Sequence, residues 1–92
     1  MAEVAVLQMP AFQRAYKRLV SSHRMVVDDA VRAIVANPLV GEAKKGDLTG
    51  VSVYKFSLNR QQMLLAYEWD PQTRVLLLLG SHENFYRGLK RG

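Results

Sequence analysis

Ninety-two residues, 49% of them apolar, make one small domain spanning 1–92, near the lower limit for folding on a single core. The chain has no cysteine, which excludes disulfides and thiolate metal sites, and no window approaches the ~20 apolar residues of a membrane span. The formal charge of +5 is lopsided, with eight Lys/Arg against four acids in residues 44–92; this suits a polyanion or a masking acidic protein, and equally a surface that keeps a small protein soluble. Glu3 stands where a signal peptide needs cations, and the run Val4 to Leu7 is too short for a leader core. A soluble, cytoplasmic protein is expected.

Taken in order, Glu3 to Met9 reads as a strand rich in β-branched and apolar residues, and Pro10 stops its ladder while suiting the first turn of a helix. In Ala11 to Val20 the apolar residues Phe12, Ala15, Tyr16, Leu19 and Val20 recur at three- and four-residue spacing, opposite Arg14, Lys17 and Arg18. That is an amphipathic helix. Ser21-Ser22 supplies a turn and an N-cap for a second, whose stripe is Val26, Val27, Ala30, Val31 and Ile34 and whose end is Asn37-Pro38. Leu39 to Gly50, with three glycines and mixed charge, reads as a connecting loop.

The period then changes to two. Val51 to Leu58 sets Val51, Val53, Lys55 and Ser57 on one face and Ser52, Tyr54, Phe56 and Leu58 on the other. Asn59-Arg60-Gln61 is a polar turn, after which Gln62 to Trp69 sets Met63, Leu65, Tyr67 and Trp69 against Gln62, Leu64, Ala66 and Glu68. Asp70-Pro71-Gln72-Thr73 turns the chain into a third strand, Arg74 to Leu79, whose unbroken apolar run predicts cover on both faces and a central place in the sheet. Gly80 is expected to release the chain and Ser81 to cap a last helix, with Glu83 early and Arg87, Lys90 and Arg91 late, the polarity a helix dipole favours. The order β-α-α-β-β-β-α describes an α+β fold with a helical hairpin packed on a small, mainly antiparallel sheet.

No metal constellation, phosphate-cradling glycine loop or nucleophile elbow is present, so chemistry here would be cofactor-free. If Tyr54 and Phe56 define the core, Lys55 points to the uncovered face, as a solvent-facing residue or as part of a site. Arg60 lies in a hairpin turn, and Glu68 shares the Lys55 side, where it could pair with a cation. His82 follows a buried strand and can exchange a proton near neutrality; capping or packing is the competing role. Tyr86, four residues on, shares a helical face with His82, where it can stack on a base or touch a phosphate, or else pack with Leu89. Phe85 is read as a core anchor, Trp69 as a large core residue, and His23 has no assigned role.

The whole pattern resembles the RelE/ParE superfamily of bacterial type II toxin–antitoxin toxins. The residues that carry the resemblance are the strand and helical hairpin, Asn37-Pro38 and Gly41, Asp47 to Val51, Val53 to Phe56, Leu64 to Tyr67, and Leu79 to His82 before the last helix. The resemblance implies two activities on one fold: RelE-like members are ribosome-dependent, metal-independent endoribonucleases that cut mRNA, and ParE-like members poison DNA gyrase. Lys55, His82 and Tyr86 occupy places matching the nuclease site, with Arg60, Arg87, Lys44 and Lys45 as substrate-binding cations. Leu64 stands where the second-strand cation of the family falls, and Ser57 where some RelE-like members carry a second Lys. An antitoxin is the implied partner in either branch, laying a helix or extended segment over the basic surface. A plain RNA-binding module is the third reading.

Overall fold

A computed structural model describes residues 3–81 and Phe85. Strand β1 (Ala5–Gln8) leads through Met9 into α1 (Pro10–Lys17), where Pro10 takes the first helical position, whose N–H would have no partner in any case. Helix α2 (Ser21–Ala36) starts one residue earlier than the Ser21-Ser22 cap predicts. Val20 is its N-cap, and no side chain closes that end.

Both helices bury one stripe on the same sheet face. Phe12 of α1 and Val27, Ala30 and Ile34 of α2 pack with Leu58, Met63, Leu65, Tyr67, Leu76 and Leu79 of the sheet. The Tyr16 hydroxyl donates to Asp28 Oδ1 at 2.8 Å and ties α1 to α2. That hydrogen bond, with burial, raises the Tyr16 phenol above its ordinary range.

The stretch read as a loop contains a fifth strand. Two 3₁₀ turns (Pro38–Val40 and Gly46–Leu48) bracket β2 (Glu42–Ala43), which pairs antiparallel with the start of β3 (Ser52–Leu58). β4 (Gln61–Asp70) and β5 (Thr73–Ser81) complete the sheet in the order β1-β5-β4-β3-β2, with β1 parallel to β5 and the other pairs antiparallel. Thus β5 is interior as expected, but the middle position belongs to β4, whose residues Met63 to Tyr67 are buried without a break. Nor does Gly80 release the chain, because the ladder runs on through Leu64↔Gly80 and Met63↔Ser81. The capping role expected of Ser81 and the helix after it lie outside the described residues, Phe85 excepted.

One irregularity sorts the leucine run. Ala66 pairs with Leu78 and Tyr67 with Leu76, so Leu77 is an extra residue in the β4/β5 ladder. Leu76 and Leu79 then join the helix-side core, while Leu77 and Leu78 both pack on the opposite side. That second side has its own cluster of Val53, Leu64, Ala66 and Phe85. Phe85 is 2% exposed, which bears out its reading as an anchor.

The joint between helices and sheet rests on Arg74 and Tyr67. Arg74 is 4% exposed. Its Nε and Nη2 donate to the carbonyls of Ile34 and Val35, both at 3.1 Å, and Nη1 donates to those of Asp70 (2.6 Å) and Thr73 (3.2 Å). Ile34 and Val35 belong to the last turn of α2, where carbonyls lack intrahelical partners and the helix dipole favours a cation. Trp69, expected in the core, is instead 38% exposed at the end of β4, with the Arg74 guanidinium 5.9 Å from its ring centroid. The buried Tyr67 hydroxyl donates to the Pro38 carbonyl and accepts from Gly41 N–H at 3.0 Å. A Cβ at Gly41 would lie 2.5 Å from that oxygen, so the close approach requires glycine.

Three stability outcomes follow from these contacts. Arg74→Met removes the donors to Ile34 and Val35 and should cost about 2–4 kcal/mol in chemical denaturation. Phe85→Ala uncovers Val53, Leu64 and Ala66 and should cost about 3 kcal/mol in the same measurement. The β3–β4 hairpin turns on Asn59 (φ 51°) and Arg60 (φ 68°), a pair of left-handed residues that favours Asn-Gly, so Arg60→Gly should raise stability by about 1 kcal/mol.

Candidate nucleic-acid interface

With the helices on one face of the sheet, the other is left to β3, β4, β5 and Phe85. Strand alternation puts Lys55 on this helix-free face, exposed, between half-buried Tyr54 and Phe56, which stack on each other at 6.1 Å on the helix side. Its cross-strand neighbour is Leu64, and that of Leu64 is Gly80. Lys55, Leu64 and Gly80 therefore form one row, about 10 Å from end to end at ~4.8 Å per strand.

Leu64 is fully buried in the cluster with Phe85, whose ring lies 3.7 Å from where a Gly80 Cβ would be. An apolar residue there is consistent with the packing: a cation at position 64 would have to be desolvated beneath an aromatic ring. Within β3 and β4 Lys55 is the only cation.

The other basic candidates do not gather around it. Arg60 is exposed at the tip of the β3–β4 hairpin, beyond one end of β3. Lys44 and Lys45 lie beyond the other end, with Lys44 N–H bonded to the Val51 carbonyl at 2.9 Å. The Lys44 ammonium is 3.4 Å from Glu42 and only 19% exposed, whereas Lys45 is open to solvent. These cations form a line along β3, not a cluster. His82, Tyr86 and Arg87 lie outside the described residues.

Glu68 shares the face of Lys55 but sits four residues along β4 from the Lys55 partner Leu64, roughly 13 Å away at ~3.3 Å per residue. It pairs with no cation among the described residues. With Asp47 of the second 3₁₀ turn it borders a groove of about 530 Å³, whose floor includes Val51, Leu77 and Leu78. Sequence reading missed this groove. Strict alternation would set Leu77 and Leu78 on opposite faces, and only the bulge places both on this one.

One cation on the sheet face, with others beyond both ends of its strand, can attract a phosphate backbone. Among the described residues no three His, Asp or Glu side chains gather as metal ligands, and no helix is long and apolar enough to cross a membrane.

Solved structures with this fold include the RelBE2 toxin–antitoxin complex of Mycobacterium tuberculosis, with TM-score 0.72 and 21% identity over 88% of this chain and 100% of that one. A double mutant of the Escherichia coli toxin RelE in the free state gives TM-score 0.70 and 15% identity over 98% of this chain and 94% of that one. The YoeB/ParE toxin of Agrobacterium tumefaciens gives 0.67 and 15% over 86% and 99%. At these identities the likeness is one of fold. A search of curated protein sequences gives no match. The family model for the ParE-like toxin of type II bacterial toxin–antitoxin systems matches residues 6–90, almost the whole chain. The chain belongs to that family and is a toxin of the RelE/ParE superfamily.

Proposed function

We propose that this toxin is a ribosome-dependent endoribonuclease that cuts mRNA in the cytoplasm and so stops translation, using its own side chains without a metal. The observation that carries the reading is the position of Lys55. It is exposed on the helix-free face, in one row with Gly80, and Gly80 is two residues before His82 in the sequence.

Cleavage proceeds by attack of the 2′-oxygen of the message on the adjacent phosphorus. A base takes the 2′-hydroxyl proton, the phosphorus–5′-oxygen bond breaks, and an acid protonates the departing oxygen, leaving a cyclic phosphate. His82 is assigned acid or base duty, and Tyr86 orients or stacks on a base. Lys55, helped by Arg60 or Arg87, offsets the charge that grows on the phosphate. Lys44 and Lys45 add attraction for the backbone farther along β3.

A cognate antitoxin is the proposed physiological partner, with acids opposite Lys44, Lys55, Arg60 or Arg87. The M. tuberculosis and E. coli structures similar in fold include toxin–antitoxin complexes, which supports this reading.

One observation favours the second reading, inhibition of DNA gyrase by docking without cleavage. Lys55 is the only cation in β3 and β4, and Leu64 beside it is packed with Phe85, so among the described residues the charge available to stabilise a phosphate there is sparse. The two readings part on substitution. Lys55→Ala and His82→Ala should each reduce transcript cutting in induced cells by roughly 10²-fold, with circular dichroism unchanged. Full cutting in both variants would sink the assignment, and DNA-damage signalling with translation spared would point to gyrase.

A further inference from the structure

The groove beside Glu68 has a polarity opposite to that of the chain as a whole. Its walls are Met9, Pro10 and Ala11 on one side and the turn Asp47–Thr49 on the other, with Val51, Leu77 and Leu78 between them. At about 530 Å³ it falls within the ~300–1,000 Å³ of pockets that take several side chains or a small ligand. Its polar groups include two carboxylates, Asp47 and Glu68, both exposed and neither ion-paired among the described residues. Among the described residues the neighbouring cations form no ion pair with either of them: Lys44 pairs with Glu42, and Lys45 is exposed.

Two carboxylates in the groove disfavour a phosphate backbone there, which distinguishes it from the surroundings of Lys55. They favour a cation carried on an apolar segment, whose aliphatic parts would cover Leu77 and Leu78 while its charge meets the acids. The groove also lies on the face of Lys55, roughly 13 Å away along β3 and β4 at ~3.3 Å per residue. One extended partner segment of about four residues can therefore reach both places.

We propose that the groove formed by Asp47, Val51, Glu68, Leu77 and Leu78 is a docking site for an aliphatic segment of the antitoxin bearing a Lys or Arg. The contact has the reverse sign to the acid-on-lysine contact expected at Lys55, and the pair of opposite contacts fixes the direction in which the antitoxin lies across the sheet. The proposal rests on the antitoxin reading above.

The test titrates the cognate antitoxin against the wild-type toxin and the double variant Asp47→Asn/Glu68→Gln, with Lys55→Gln for comparison. Both groove substitutions are at exposed positions and should leave the circular dichroism spectrum and toxicity unchanged. The expected result is a Kd weakened about 10-fold or more in the double variant. A Glu68→Lys toxin should bind more weakly still and be rescued by a Lys→Glu or Arg→Glu change in the antitoxin. An unchanged Kd in the double variant, with the wild type binding normally, overturns the groove assignment alone. Absence of binding to the wild type overturns the antitoxin reading and the proposal with it. A toxin that dimerises by itself, and loses the dimer in the double variant, assigns the groove to a second copy and also overturns the proposal.

Discussion

The molecule depends on how the last turn of α2 is received by the sheet. A helix that ends over a sheet presents carbonyls with no partner inside the helix, and leaving them dry and unpaired costs stability. Arg74 meets this need from the start of β5 with a buried guanidinium that also holds the turn before its own strand. Tyr67, on the neighbouring strand, does the same for the chain that leaves the helix, bonding Pro38 and Gly41. Burial raises the Tyr67 phenol above its ordinary range, so it stays neutral and keeps its donor. Two adjacent strands thus grip one helix end and commit both helices to one face.

Everything proposed about function takes place on the other face, and the bulge at Leu77 shapes it. Without the extra residue, the leucines of β5 would divide evenly between the two sides. With it, Leu77 and Leu78 stand together on the helix-free side and form part of the groove beside Glu68. Farther along the same face, Phe85 closes over Leu64 and leaves Lys55 exposed at the margin of the apolar cluster. The face therefore carries a basic margin, an apolar centre and an acidic groove in sequence along the strands. Such a surface can attract a polyanion at Lys55 and seat a protein segment in the groove.

Much of this was legible in the sequence, because alternation and helical spacing are local signals. The faces of β3, the exposure of Lys55, the stripe of α2 and the burial of Phe85 all follow from residue order. What escaped depends on partners far away in the chain. Arg74 looks like a surface charge at a strand end until α2, about 40 residues earlier, presents its carbonyls. The two residues of β2 are too few to show a period, and three glycines hide them in what reads as a loop. Trp69 has the composition of a core residue, but β4 at that point lies beside the Arg74 guanidinium and stays partly open to solvent. Of the site, Lys55 and the placing of Lys44 and Lys45 before β3 and of Arg60 after it were readable, and the groove beside Glu68 was not, since it depends on the bulge at Leu77.

Membership of a toxin family leaves two targets to choose between, and with Lys55 the only cation of β3 and β4 the choice becomes a physical question about phosphate stabilisation. In vitro translation of a defined message with added toxin, followed by mapping of RNA 5′ ends, addresses it. New ends should appear within the coding sequence only when ribosomes are present. An intact message on translating ribosomes at toxin concentrations that arrest growing cells would contradict the nuclease reading.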